Sequence, residues 1–111
     1  MTMIHQLSIR TSRQGLLEIT TEVGAIVARS TIQNGLCNLF IQHTSASLLI
    51  QENADPSARH DLEQWISRLV PENDPHYTHT YEGSDDMPAH LKAAITPVSI
   101  NIPVIDGRLG L

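Results

Sequence analysis

The sequence predicts a single α+β domain, and three observations carry that prediction. Apolar residues alternate in several short stretches, Met3, His5, Leu7 and Ile9 in one and Val98, Ile100 and Ile102 in another, with the period of two of a half-buried strand. Between these stretches Val23, Ile26, Val27 and Ser30 fall at i, i+3, i+4 and i+7, and Ala58, Leu62, Trp65, Ile66 and Leu69 form a second helical stripe. The chain has 111 residues, 41% of them apolar, enough for one core with little surplus.

Taken in order, the first alternating run is followed by a turn over residues 11–15, which hold Thr11, Ser12 and Gly15. Glu18 to Thr21 caps a first helix, which ends in the polar stretch Thr31 to Asn34 and at Gly35. Leu36 to Gln42 predicts a strand with Cys37, Leu39 and Ile41 on one face, and His43 continues that parity onto the buried side. Ala46, Leu48, Ile50 and Glu52 share a parity in turn, so Glu52 is expected to terminate an apolar face. Asp55 is a good N-cap and Pro56 suits the first helical position, so a helix starts there and runs until Pro71 stops it. Residues 71–85 are polar and turn-rich, a long loop of the sort that is usually functional or mobile.

Asp85 or Asp86 caps a third short helix with Pro88 in its first turn and with Met87, Leu91, Ala94 and Ile95 inward. His90 lies one turn in, where the helix dipole disfavours imidazolium and keeps the ring able to bind a metal. Val98, Ile100 and Ile102 form a strand before Pro103, Asp106-Gly107 marks a turn, and Leu109 and Leu111 begin another alternating run.

Composition narrows the partners. A net charge of −5 opposes nonspecific binding to nucleic acid or to an anionic membrane, and scarce aromatics argue against stacking platforms for single strands. No run approaches the ~20 apolar residues of a membrane span, and the N-terminus lacks the pattern of a signal peptide. The single cysteine, Cys37, excludes an intrachain disulfide and agrees with a reducing, cytoplasmic setting.

The chemistry concentrates at element ends. Six histidines include His76-x-x-His79, but no His-Glu-x-x-His or Cys-x-x-Cys zinc signature is present. His5, His60 and His76 read as ordinary surface or satisfied histidines. His43, His79 and His90 each adjoin polar residues at the end of a buried element, where three metal ligands with an open fourth position can assemble. Thr44, Ser45 and Ser47 either donate to phosphate oxygens or satisfy backbone groups in a bulge. Glu52 is a general base, a partner that orients a histidine, or a solvated carboxylate. Lys92 and Arg108 are the cations near these segments and candidates for phosphate contacts. Cys37 reads as a small core residue.

Several motifs then agree in order with one family. His43-Thr44-Ser45-Ala46-Ser47-Leu48, Glu52-Asn53, Tyr77-Thr78-His79, Tyr81-Glu82-Gly83, Asp85-Asp86-Met87-Pro88-Ala89-His90-Leu91-Lys92, Ile102-Pro103 and Gly107-Arg108-Leu109-Gly110-Leu111 resemble the YjbQ-like family from about Ile19 onward. The resemblance implies an α+β domain on antiparallel sheet with two to three short helices, assembled as a homotrimer. It implies a cleft where His43, His79 and His90 converge with a divalent metal, zinc or magnesium, or an anion. It also implies a secondary thiamine-phosphate synthase, a transferase joining a pyrimidine diphosphate to a thiazole phosphate.

On that reading His43, Glu52 and Glu82 are catalytic, and Thr44, Ser45, Ser47, Asn53, Lys92 and Arg108 hold the small phosphorylated substrate. Family members continue past Leu111 with a further strand, so the single domain over residues 1–111 is expected to lack it. Two other functions compete: a metal-dependent hydrolase using Glu52 or Glu82 as base, and a metabolite- or metal-binding module without turnover.

Overall fold

Helix formation in this chain follows local chemistry closely. The computed structural model describes residues 3–51 and 55–111. Helix α1 spans Thr20–Arg29, with Glu22 in its first turn and Arg29 in its last, each favourable to the helix dipole. It ends through Ser30, whose amide returns to Ile26 O and Val27 O and whose buried hydroxyl donates to Val27 O at 2.6 Å. Helix α2 spans Pro56–Leu69, and the Asp55 carboxylate accepts from Ser57 N at 2.9 Å, the cap expected from Asp-Pro. Helix α3 spans Asp86–Ile95 after the N-cap residue Asp85, and Pro88 is fully buried in its first turn.

Strands β1 (Gly35–Phe40), β2 (Ser99–Ile105) and β3 (Arg108–Leu109) form one sheet in the order β1-β2-β3. β2 and β3 are antiparallel, pairing Val104 with Leu109 and Ile105 with Arg108. Asp106 and Gly107 make the tight turn between them with φ of 51° and 79°, both in the left-handed region that a primed hairpin turn requires. The α+β class with antiparallel pairing and three helices is therefore present.

The chain gathers into two compact units, Met1–Asn38 with Asn101–Leu111, and Leu39–Ile100. In the first, Val23 and Val27 of α1 and Ile102 and Val104 of β2 are buried, and α1 packs against β3. Each such side chain contributes roughly 1.5–3 kcal/mol on leaving water. Gly107 N donates to Gln33 O at 2.8 Å, which fastens the hairpin turn to the loop after α1. Gly110 N donates to Pro103 O at 2.7 Å, so Pro103 lies within β2 as a carbonyl acceptor, and the strand runs on past it. In the second unit Pro88, Ala93 and Val70 are the buried ones among the described residues.

Two expected strands are absent. Residues 3–10 alternate in sequence but form no strand, and the expected inward residues Met3, Leu7 and Ile9 are each about 40% exposed, so that face is not packed into a core. The segment through Ala46, Leu48 and Ile50 is irregular as well, held instead by Leu48 N donating to Pro97 O at 2.8 Å. Glu52 and Asn53, expected at the end of that strand, lie outside the described residues.

Candidate metal centre

Helix α3 sets the site. Asp86 and His90 stand one turn apart at i, i+4, so both side chains project from one face. The third member comes from the loop before the helix. Asp74 organises that loop by accepting from His76 N at 2.8 Å through its carboxylate and from Tyr77 N at 3.1 Å through its carbonyl. The Tyr77 hydroxyl donates to Pro71 O at 2.9 Å, and Gly83, with φ of 107°, allows the chain to double back. His79 is thereby placed with Nε2 2.7 Å from Asp86 Oδ2.

The same Oδ2 atom lies 3.1 Å from His90 Nε2. The two imidazoles meet edge to face, centroids 5.6 Å apart and planes at 75°. One ligand atom from each of His79, Asp86 and His90 falls within 4.8 Å of the others. The hydrogen bond from His79, with the charge of His90 behind it, holds the Asp86 carboxyl below the usual carboxylate range. An ionised carboxylate and two imidazoles are a donor set for a divalent cation.

The tautomer of His90 sharpens this. His90 Nδ1 lies 3.1 Å from Thr44 O. A carbonyl only accepts, so Nδ1 carries the proton and the neutral ring has its lone pair on Nε2. In that neutral tautomer the lone pair faces Asp86 Oδ2. Two electron-rich atoms at this separation require a cation or a proton between them.

Each expected residue can now be placed. His79 and His90 converge. His43 is exposed, because β1 ends at Phe40 and strand parity does not carry across the irregular residues that follow. Its Nδ1 accepts from Ser45 N at 3.0 Å and lies 2.8 Å from Ser45 Oγ, so in the neutral ring Nε2 carries the proton. Thr44 contributes its carbonyl, and Ser47 is tied to Thr96, whose hydroxyl donates to Lys92 O at 2.6 Å. Glu82 Oε2 lies 3.9 Å from His79 Nε2 at the edge of the centre. Lys92 is two residues beyond His90 on α3, and Arg108 is in β3 of the other unit. Asp86, read from sequence only as a cap, is the member that reasoning missed. The signal available was its i, i+4 spacing to His90.

A depression of about 450 Å³ adjoins His90, lined also by Phe40, Ile41, Ala93, Ala94 and Val98 and by the polar Gln42, His43 and Thr44. Ile41 N donates to Val98 O at 2.9 Å and holds two of these walls together.

Comparison with known proteins gives the ancestry. The family model described as UPF0047 protein YjbQ-like matches residues 5–111. A UPF0047 protein of Synechocystis is 48% identical over 105 residues, 95% of this chain and 71% of that protein. UPF0047 protein YjbQ of Escherichia coli O157:H7 is 40% identical over 104 residues, 93% and 75% respectively. Among solved structures, the conserved hypothetical protein TT1486 of Thermus thermophilus superposes with a TM-score of 0.83 at 35% identity, covering 95% of this chain and 79% of that one. A protein of Clostridium acetobutylicum, described as an uncharacterized conserved member of the yjbq/upf0047 family, gives 0.83 at 32%, covering 93% and 78%.

These relatives overturn the expected thiamine-phosphate synthase. The family carries the designation UPF0047 and the Clostridium protein is described as uncharacterized, so kinship brings no such transferase reaction with it. What the match over residues 5–111 and the identities of 40–48% do establish is descent: the chain belongs to the YjbQ-like UPF0047 family.

Proposed function

We propose that this protein is a divalent-metal centre that holds a small oxyanion. His79, Asp86 and His90 are the protein ligands, and the remaining coordination positions are open to the ligand. The observation that carries this reading is the pair of imidazole nitrogens directed at one Asp86 oxygen, at 2.7 and 3.1 Å. Of the two cations expected from the resemblance, two imidazole donors favour zinc, since magnesium prefers a shell of oxygens. The cation would supply the positive charge that polarises an oxygen ligand.

The chain's own groups do the rest. Thr44 O fixes the His90 ring through Nδ1–H, which orients Nε2 inward. Glu82 lies beside His79, and His43, whose neutral ring carries its proton on Nε2, is the candidate hydrogen-bond donor to the oxyanion. The half-buried thiol of Cys37 is pushed up by loss of solvent and stays inert, in keeping with a reducing cytosol. Trimeric assembly belongs to the same proposal: exposed Trp65 and Leu69 of α2 offer apolar surface for self-association, which sedimentation measures.

Calorimetric titration with zinc tests the centre. One equivalent should bind to the wild type, and Asp86→Asn should weaken binding by at least tenfold. Equal uptake by the variant would sink the reading.

A further inference from the structure

The depression beside the metal centre points to the kind of molecule held there, an inference that rests on the metal reading above. Phe40, Ile41, Ala93, Ala94 and Val98 line the depression with apolar side chains beside the polar Gln42, His43 and Thr44, and its volume of about 450 Å³ falls within the range of small-ligand sites. Phe40 is 64% exposed and Val98 39%, so these side chains still have apolar surface to cover. The polar end is His90, which belongs to both constructions: its ring lines the depression, and its Nε2 turns to Asp86. Among the described residues no Lys, Arg, Asp or Glu lines the depression, so none of them would neutralise a second charge on the ligand.

We propose that the ligand is an amphipathic monoacid, with one oxyanion head on the cation between His79, Asp86 and His90 and a short apolar body against Phe40, Ile41 and Ala94. A body as small as a short acyl chain or a single ring fits this volume. Ala94 governs its length, because it is exposed at the wall and carries the smallest side chain that still has a Cβ. Selectivity therefore divides in two: the cation selects the acid, and the apolar walls select the chain.

A homologous series separates the two parts. The zinc-loaded protein is titrated with acetate, butanoate and hexanoate, after zinc uptake has been measured alone. Affinity should rise about twofold to fourfold per methylene until the depression is filled. In Ala94→Trp the ratio of hexanoate to acetate affinity should fall towards one. Zinc uptake with equal affinity for all three acids overturns this inference and leaves the metal reading standing. The same rise in zinc-free protein overturns the placement of the head. Failure to bind zinc overturns both.

Discussion

His90 and Asp86 face each other across 3.1 Å, ring nitrogen Nε2 to carboxylate oxygen Oδ2. The arrangement follows from a bond on the far side of the ring, where Nδ1–H is given to Thr44 O at 3.1 Å. A single backbone carbonyl thus decides which nitrogen is presented to Asp86. It follows that neutral His90 is the Nδ1–H tautomer, and nitrogen-15 shifts of the imidazole should report it. An Nε2–H tautomer would remove the argument for a cation.

Cation binding should release protons and weaken in acid. Imidazole and carboxylate ligands must be deprotonated to bind metal. Asp86 is not the group that limits this, since His79 already holds its carboxyl below the usual range. Titrations in buffers of different ionisation enthalpy measure the protons released, and none released would contradict the ligand set.

Helix α2 should fray at low pH from its first turn. The Ser57 hydroxyl and amide hold the Asp55 carboxyl below its ordinary value. A depressed folded pKa contributes stability that is present above the unfolded value, about 3.9, and is lost as pH falls through the folded one. Amide exchange at Ser57 should therefore accelerate below about pH 4. Asp55→Ser should keep the cap at that pH and Asp55→Ala should lose it at every pH.

Ile102 is 4% exposed on the inner face of β2. Ile102→Ala should destabilise by about 2–5 kcal/mol and Ile102→Val by about 0.5–1.5 kcal/mol. Denaturant midpoints at constant slope check both.

Thr31 has φ of 61°, immediately beyond the end of α1. A β-branched residue is strained there, and Asn tolerates that conformation. Thr31→Asn should stabilise by about 1 kcal/mol, read as a raised thermal midpoint. A lowered midpoint would mean that the bond from Thr31 Oγ1 to Ser30 O, at 2.6 Å, outweighs the strain.

What the sequence disclosed was whatever local chemistry determines. Asp55-Pro56 announced α2, Asp106-Gly107 announced the β2–β3 turn, and the parity of Ile100 and Ile102 marked the inner face of β2. Residues 3–10 had the same alternation, yet a strand requires a partner that no local pattern reveals. His79 and His90 were legible as candidates because each adjoins polar residues at the end of an element, and their rings do meet edge to face. Asp86 was not, because its role depends on the fold of residues 71–85, which returns His79 to the start of α3. His43 was placed by extending β1 past Phe40, where the strand ends.

Cobalt(II) substitution tests the central claim most directly. The wild type should take up one equivalent and develop the visible ligand-field absorption of a nitrogen- and oxygen-bound ion, and both Asp86→Asn and His90→Gln should lose it. The same spectrum from Asp86→Asn, or none from the wild type, would contradict a metal centre at His79, Asp86 and His90.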